Sequence, residues 1–397
     1  MAEHKRHHVQ VFAYDEELHE LRDFKSSGTF LDFLHHSSSK PIPLSSTPEI
    51  HDWSLKTFFK AANTIAQSIK NEHFSTSDTL VFRSTGDKSL SGHVTDPECM
   101  PDFIAAFNEY FENEAMLWPY IRLTGEHASK GKTRKDQEKQ AISYLHYLLL
   151  ARPDLYVAQG MLTSKTGITF LVGIGGHGVR SLLVDWSNKE LSKLMYAFIF
   201  CLYRPDKFAD PSFEIGHVKD GQVTYTIKLP IKPGVDEVPT DQQVVIFREF
   251  LPIYAGSPFE TRTHVFSNTD SEVTINNKRL TVLKDQFCRE GTRFNEYDIL
   301  KHVHAEEKVP GVVQAVYNDI IAPPDVDEPI VKKKHRIGMG QYGDPFMTIP
   351  NVKAMLEVAF DILEGTVVTL DDFVCAHGLG SVKVPPNATQ RPPSRYQ

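Results

Sequence analysis

The feature that most limits the folds open to this sequence is a short apolar strand that ends in a lysine and is soon followed by an amphipathic helix. The apolar residues Leu280 and Val282 lie two positions apart, as in a strand, and Lys284 follows at the next such position. The helix pattern contains Glu296 beside an apolar face made of Ile299, Leu300 and Val303. A strand and a helix joined this closely predict a helix that packs against a sheet.

A lysine on a strand and a glutamate on the next helix can carry a specific chemistry. In protein kinases a strand lysine contacts the α- and β-phosphates of ATP, and a helix glutamate holds that lysine through an ion pair. Lys284 and Glu296 have the residue types and the order that this contact needs. A surface lysine after a strand and a solvated helix glutamate are the alternative interpretation of the same two residues.

Six stretches of the chain match segments of one known protein family, in the same order. They are 194–208 (LMYAFIFCLYRPDKF), 248–257 (REFLPIYAGS), 281–285 (TVLKD), 293–300 (RFNEYDIL), 309–315 (VPGVVQA) and 336–346 (RIGMGQYGDPF). Together they resemble the fungal-type protein kinase family, found in multidomain proteins of mushroom-forming fungi, from about residue 100 to residue 365. The resemblance implies ATP-dependent protein phosphorylation as the family activity, with Ser, Thr or Tyr hydroxyls as acceptors.

The resemblance also implies roles for individual residues of this chain. Lys284 would contact the nucleotide phosphates, and Glu296 would be its helix partner. The hinge beside the adenine would be formed by Met339, Gly340, Gln341 and Tyr342. ATP is therefore the implied ligand, with Mg²⁺ as its companion ion.

Two departures from the family pattern separate this chain from an active kinase. A phosphate loop needs glycine so that its backbone can approach the nucleotide, yet residues 259–265 contain no glycine and include the anionic Glu260. Neither a His-Arg-Asp catalytic loop nor an Asp-Phe-Gly metal motif occurs in the sequence, since Asp372 and Phe373 are followed by Val374. Without a base and without carboxylates for Mg²⁺, phosphoryl transfer loses most of its electrostatic catalysis.

These departures predict a catalytically incomplete relative of the kinases, either a truncated kinase or a pseudokinase. The residues themselves support nucleotide binding through Lys284 and Glu296. A non-catalytic protein-interaction scaffold is the alternative, and it predicts that Lys284→Ala leaves partner binding unchanged. The sequence identifies no protein substrate, no partner and no oligomeric state.

The region before the kinase-like part carries a second set of candidate residues. Asp102 is followed along the chain by a predicted strand with Glu126, and the next predicted helix carries Gln140 and Tyr144. This order resembles the restriction-endonuclease-like fold, in which an Asp and a Glu hold Mg²⁺ and a lysine lies two residues after the Glu. Ala128 occupies that lysine position. We expect a degenerate nuclease-like domain; a Mg²⁺-dependent nucleic-acid enzyme acting through Asp102 and Glu126, or two solvated or capping carboxylates, are the alternatives.

The glycine-rich stretch 173–178 fits the dinucleotide-binding pattern G-x-G-x-x-G. That pattern requires a helix directly afterwards, so that the helix N-terminus faces the pyrophosphate. Residues 179–184 have the pattern of a strand instead. The stretch therefore predicts a hairpin turn and not a dinucleotide site.

Charge and composition restrict the classes of function further. The formal net charge of −8 gives no electrostatic sign of bulk nucleic-acid binding. The basic stretch 130–139 is interpreted as a solvated loop and helix start, and 332–334 as a loop between strands. We therefore do not expect nucleic acid as a ligand.

The sequence also restricts the cellular compartment in which the protein is expected. The four cysteines lie far apart, which predicts neither a disulfide framework nor a zinc site and favours a reducing compartment. The apolar run 194–203 is about half the ~20 residues that a membrane-spanning helix needs, and residues 1–10 do not resemble a secretory signal. We expect an intracellular protein, cytoplasmic or nuclear, without a membrane partner.

Taken together, these patterns predict a multidomain α+β chain. The expected parts are a helical N-terminal segment over 1–75, an α/β restriction-endonuclease-like domain over 76–215, a β-rich linker over 216–246, a protein-kinase-like small lobe with its hinge and part of the large lobe over 247–365, and a disordered tail over 366–397.

Overall fold

Helices and strands are mixed throughout the part of the chain that the structure describes. The computed structural model describes residues 22–36, 54–86, 88–93, 99–111, 116–128, 133–203, 208–219, 222–231, 244–259, 262–268, 274–275, 278–288, 296–305, 312–321 and 332–340. Within these residues two large sheets and several helices form, so the predicted α+β class is confirmed. The predicted tail over 366–397 lies outside the described residues.

The first sheet contains the strands of the N-terminal half. They are β1 (Arg22–Asp23), β2 (Leu80–Ser84), β3 (Phe103–Phe107), β4 (Leu123–His127), β5 (Val157–Thr163), β6 (Gly167–Ile174) and β7 (Gly178–Asp185). Their order in the sheet is β1-β7-β6-β5-β4-β3-β2. The pairs β4–β5 and β1–β7 are parallel, and the other neighbouring pairs are antiparallel.

Four helices pack on this sheet, and capping residues fix where two of them begin. They are α1 (Ser27–His36), α2 (Leu55–His73), α3 (Arg134–Ala151) and α4 (Leu191–Tyr203). The Ser54 side chain accepts the N–H of Thr57 at the start of α2, and Thr133 and Asp136 form a reciprocal capping box at the start of α3. Of the helices in the described residues, none is both long enough and apolar enough to cross a membrane.

Helices cover both faces of the first sheet. Alternate residues of β3 point to opposite sides, so Phe103 and Ala105 join one apolar core while Ile104 and Ala106 join the other. The first core is completed by α1, α2 and α4, and the second by α3. The helices of the predicted N-terminal segment therefore pack on the same sheet as the predicted nuclease-like region. We call this sheet and its four helices the first domain.

The glycine-rich stretch forms the predicted hairpin. Strands β6 and β7 are antiparallel, and Ile174 pairs with Gly178 at the turn. Gly176 and Gly178 have positive φ angles of 80° and 129°, which residues with a side chain rarely adopt. A strand follows the glycines, as predicted, in place of the helix that the dinucleotide-binding pattern requires.

The second sheet is antiparallel throughout. Its strands are β8 (Phe213–Lys219), β9 (Gln222–Ile231), β10 (Val244–Ala255), β11 (Thr263–Asn268), β14 (Val282–Cys288), β15 (Ala315–Ile321) and β16 (Lys333–Met339), while β12 (Thr274–Ile275) and β13 (Lys278–Arg279) form a separate pair. The order is β15-β16-β14-β11-β10-β9-β8. Helix α5 (Glu296–Val303) lies between β14 and β15 in the chain. We call this sheet and α5 the second domain; most of the predicted linker belongs to its strands.

Buried ion pairs join the two domains. Arg336 on β16 donates to both carboxylate oxygens of Asp285 on β14, at 2.8 Å each. Lys334 donates to the carboxylate of Asp210 at 2.9 Å and to the carbonyl of Pro153 at 3.1 Å. Asp210 also accepts from Arg336 at 3.1 Å. We call Asp210, Asp285, Lys334 and Arg336 the interdomain charge network.

The interpretation of residues 332–334 as a loop between strands is wrong for Lys333 and Lys334. Lys333 and Lys334 belong to β16, and Lys334 has no exposed surface. Lys334 and Arg336 are two positions apart on one strand, so both point to the face that meets the first domain. The ammonium of Lys334 also lies 4.6 Å from the centre of the Phe213 ring, where a cation is attracted to the aromatic face.

Opposite charges keep Asp210 and Arg336 of this network ionised at neutral pH. Burial by itself raises the pKa of Asp210, but the charges of Lys334 and Arg336 outweigh burial and hold that pKa below its ordinary value. Burial lowers the pKa of Arg336, and the carboxylate of Asp285 more than reverses this effect. Each of these buried charges therefore has an opposite charge beside it, which is the condition for burying charges at tolerable cost.

Candidate functional site

Lys284 lies in the middle of the second sheet, on a largely apolar face. Its direct neighbours across the sheet are Val265 on β11 and Ile337 on β16. Residues paired across an antiparallel sheet point to the same side, so the lysine extends from between two aliphatic side chains. Its side chain is 20 % exposed, which leaves the ammonium within reach of a ligand.

Glu296, the first residue of α5, forms an ion pair with Lys284. The helix is held on the sheet by Leu300, which is buried, and by Tyr297, which packs against the apolar side chains near Lys284. Acidic residues in the first turn also favour the helix dipole. A partly exposed ion pair contributes about 0–1 kcal/mol to stability, so its main consequence is a fixed position for the ammonium.

An apolar cluster adjoins this ion pair. Val282, Ile337 and Met339 are buried within it, and the partly buried side chains packed against them are Val265, Tyr297, Val313 and Ala315. Partly buried apolar side chains beside one fixed cation suit a ligand that has an apolar part and an anionic part.

The segment predicted as the adenine hinge is described in part. The carbonyl of Met339 accepts the N–H of Thr281 at 2.9 Å, and the carbonyl of Gly340 accepts the Thr281 hydroxyl at 3.0 Å. The N–H of Gly340 donates to the carbonyl of Gln314 at 3.2 Å. These backbone groups therefore already have partners within the chain. Gln341 and Tyr342 lie outside the described residues.

The segment predicted as the phosphate loop contacts the first domain. We call residues 256–262 the β10–β11 turn; Glu260 and Thr261 of this turn lie outside the described residues. The carbonyl of Pro258 accepts the N–H of Gly176 at 2.6 Å. The Phe259 ring packs into the core around α3, with its centre 5.8 Å from that of His146. The turn is thus part of the boundary between the domains.

Arg262 fixes this turn to the C-terminal end of α3. It is fully buried, and its guanidinium donates to the carbonyls of Leu149 and Arg152 at 2.8 Å each and to the carbonyl of Leu155. The last carbonyls of a helix have no partners within it and carry the negative end of the helix dipole. An arginine from the second domain supplies the missing donors.

His264 strengthens the same contact. Its Nε2 lies 3.2 Å from the carbonyl of Leu150. Burial, together with the nearby charges of Arg262 and Lys334, holds the pKa of His264 well below its ordinary value. The imidazole is therefore neutral and donates from Nε2. Arg262 and His264 alternate with Val265 along the strand, so they point away from the face that carries Lys284.

The carboxylates predicted in the nuclease-like region come together. Phe103 on β3 pairs with Gly125 on β4, and the antiparallel register places Asp102 directly opposite Glu126. The Asp102 carboxylate accepts the N–H of His127 at 2.8 Å. Glu126 is almost completely buried.

Helix α3 brings the other two predicted residues to this place. The Tyr144 hydroxyl donates to the carbonyl of Met100 at 2.9 Å and accepts from Gln140 at 2.5 Å. Burial, with a contribution from the charges of Glu126 and Asp102, raises the pKa of Tyr144, so the hydroxyl stays protonated. Asp102, Glu126, Gln140 and Tyr144 therefore lie in one part of the domain, and the nuclease-like interpretation of their order stays a prediction.

Two observations count against metal chemistry at this place. Ala128 stands where a lysine would be needed, and its N–H donates to the carbonyl of Thr163 at 2.8 Å. Within the described residues, no group of three or more His, Cys, Asp or Glu side chains is arranged to hold a metal ion. Asp102 and Glu126 are a pair without further ligands of these types in that part of the chain.

Comparison with known proteins identified no relative of this chain. No family model, curated protein or solved structure matches the chain. The resemblance to the fungal-type kinases therefore stays a prediction from the sequence.

Sequence reasoning missed the residues that join the domains. The sequence predicts a phosphate loop at Arg262 and a loop at Lys334, and it pairs neither Arg336 nor Asp285 with a partner. One signal was available, because Lys334 and Arg336 lie two positions apart and would share one face of a strand. Charged residues that share the buried face of a strand indicate buried ion pairs.

Proposed function

We propose that the second domain binds an adenine nucleotide on the face that carries Lys284, as a small lobe related to that of protein kinases. The observation that carries the proposal is the ion pair between Lys284 and Glu296. Counted from β10 without the small β12–β13 pair, Lys284 lies on the third strand, α5 follows it, and β16 is the fifth strand. Kinases place their phosphate-contacting lysine on the third strand and its glutamate partner on the next helix.

The roles of the side chains follow from their chemistry. The Lys284 ammonium would contact a phosphate, and Glu296 would hold the ammonium in position. The partly buried side chains at the margin of the apolar cluster, Val265 and Tyr297, would contact the base. Apolar side chains on the same face as the Lys284 ammonium support binding of a nucleoside phosphate over binding of a simple anion.

The proposal extends to binding and not to phosphoryl transfer. The sequence contains no His-Arg-Asp loop and no Asp-Phe-Gly motif, and transfer needs a group that orients the acceptor hydroxyl and carboxylates that hold Mg²⁺. A nucleotide would therefore act as a ligand that stabilises the folded domain.

Adding ATP to the purified chain should raise its thermal unfolding midpoint. A ligand present at 100 times its Kd stabilises the folded state by about 2.7 kcal/mol, and Lys284→Ala should abolish the effect. Glu296→Gln should reduce it, because the ammonium is then less firmly held. Differential scanning fluorimetry with and without ATP measures these shifts.

Lys301→Ala is the matched control. Lys301 lies on the same helix, is exposed, and its loss changes the net charge by the same amount. Its variant should respond to ATP like the original chain. Absence of any shift at millimolar ATP would contradict the proposal and leave a protein-interaction scaffold as the better interpretation.

A second candidate function is Mg²⁺-dependent cleavage of nucleic acid in the first domain. The cross-strand position of Asp102 opposite Glu126 favours it, whereas Ala128 and the burial of Glu126 count against it. We expect no cleavage when DNA or RNA is incubated with the chain and Mg²⁺. Cleavage that disappears in Asp102→Asn would instead establish this second function.

A further inference from the structure

Arg262 differs from two other buried arginines at the boundary between the domains. Arg152 donates to both carboxylate oxygens of Asp154, at 2.8 and 2.7 Å. Arg336 donates in the same way to both carboxylate oxygens of Asp285. The side chain of Arg262 donates to backbone carbonyls, and within the described residues no carboxylate lies close enough to form an ion pair with it. Its guanidinium is nevertheless fully buried.

The pKa values of Arg152 and Arg262 reflect this difference. Burial lowers the pKa of Arg152, but the adjacent carboxylate of Asp154 more than reverses the effect. The charge of Asp154 acts on Arg262 from a greater distance, and burial lowers the pKa of Arg262 to about 10. Arg262 is therefore still charged at pH 7. A buried charge is costly unless an opposite charge lies beside it.

Two buried hydrogen-bond donors lie in this part of the boundary. The Nε of Arg262 and the hydroxyl of Tyr156 are buried, and they have no hydrogen-bond partner among the described residues. The guanidinium lies 5.0 Å from the centre of the Phe287 ring, and the centre of the Tyr156 ring lies 5.8 Å from it. Arg262 also donates to the carbonyl of Leu155, the residue before Tyr156. Because buried donors in folded proteins almost always have a partner, these two indicate a bound acceptor.

We infer that the boundary between the domains binds one small monovalent anion, of the size of chloride, which accepts from the Nε–H of Arg262 and from the hydroxyl of Tyr156. One negative charge matches the single charge of the guanidinium, whereas a phosphate would leave excess negative charge buried. Arg262 belongs to the second domain and Tyr156 to the first, so the anion would stabilise the contact between them. Arg262 points away from the face that carries Lys284, so the inference does not depend on the proposed nucleotide site.

Thermal unfolding of the full chain in sodium chloride and in sodium gluconate, at equal ionic strength, tests the inference. Gluconate is too large for a buried site of this kind, but it screens exposed charges equally. The unfolding midpoint should rise by about 2 °C for each tenfold increase in chloride above its Kd, because chloride binds the folded state. Equal midpoints in the two salts would overturn the inference. They are also the result expected if the carboxylate of Glu260, which lies outside the described residues, neutralises Arg262.

Tyr156→Phe keeps the aromatic ring and removes one of the two donors. In gluconate this variant should be at least as stable as the original chain, because it deletes a buried hydroxyl that has no partner among the described residues. In chloride it should respond less to the salt than the original chain does. Tyr254→Phe removes a hydroxyl from an exposed side chain and is the matched control, which should respond like the original chain. A full chloride response in Tyr156→Phe would show that the hydroxyl does not bind the anion, and the inference would be wrong.

A crystal of the full chain grown in sodium bromide identifies the bound species directly. Bromide replaces chloride and scatters anomalously, so we expect an anomalous peak in contact with the Nε of Arg262 and the hydroxyl of Tyr156. Water is the alternative acceptor for these donors, and it could also donate to the Nδ1 of His264, which has no partner in the described part of the chain either. Density without an anomalous signal at this position would identify water and overturn the inference.

Discussion

Replacing Arg336 with methionine should lower the free energy of unfolding by about 3–5 kcal/mol, the usual cost of leaving an uncompensated buried charge. Arg336 donates to both oxygens of Asp285 and to Asp210, and none of these side chains reaches solvent. The substitution leaves two buried carboxylates with one cation, Lys334, which contacts both of them. Urea denaturation followed by circular dichroism measures the loss.

Two further variants separate the charge effect from a packing effect. Arg279→Met makes the same substitution at an exposed position and should change stability by less than about 0.5 kcal/mol. The double variant Asp285→Leu with Arg336→Met removes a pair of opposite charges, so it should lose less stability than the sum of the two single variants. If Arg336→Met lost no more stability than Arg279→Met, the interdomain charge network would have no energetic role.

Replacing Arg262 with alanine should lower the free energy of unfolding by about 3 kcal/mol, because buried carbonyls that lose their donor cost about 1–3 kcal/mol each. The carbonyls of Leu149, Arg152 and Leu155 lose their donor together. The effect should be local as well as global, with faster hydrogen exchange in the last turn of α3. Urea denaturation and exchange of the peptide over 148–155 measure the two effects.

Arg262→Lys is the informative comparison. It keeps the positive charge at the C-terminal end of the helix, but a single ammonium cannot reproduce the planar fork that contacts three carbonyls. It should recover about half of the loss, in line with a favourable charge at a helix C-terminus. Unchanged exchange at the end of α3 in Arg262→Ala would show that water replaces the guanidinium without cost.

Local patterns were sufficient to predict the hairpin and the Lys284–Glu296 contact. Glycines followed by an alternating apolar run predicted the β6–β7 turn, because both signals act over a few residues. Lys284 and Glu296 are 12 residues apart, so one strand, one connection and one helix determine whether they meet. Asp102 and Glu126 meet for a similar reason, since neighbouring antiparallel strands bring them together.

Long-range contacts could not be predicted in the same way. Arg262 contacts a carbonyl 113 residues earlier in the chain, and Lys334 contacts a carboxylate 124 residues earlier. No periodicity relates such positions, because they depend on how one complete domain packs on another. Three consecutive lysines resemble a solvated loop when nothing indicates that carboxylates lie opposite them.

The charge network has a consequence for how this chain could change during evolution. Its cations come from β16, whereas Asp210 lies before β8 and one acceptor, the carbonyl of Pro153, belongs to the first domain. A gene rearrangement that moved the second domain, residues 213–340, to a new protein would carry Lys334 and Arg336 without Asp210 and without Pro153. The second domain therefore cannot be transferred to another protein without leaving buried charges unpaired. Substitutions in its charged residues require matching substitutions in the residues that contact them.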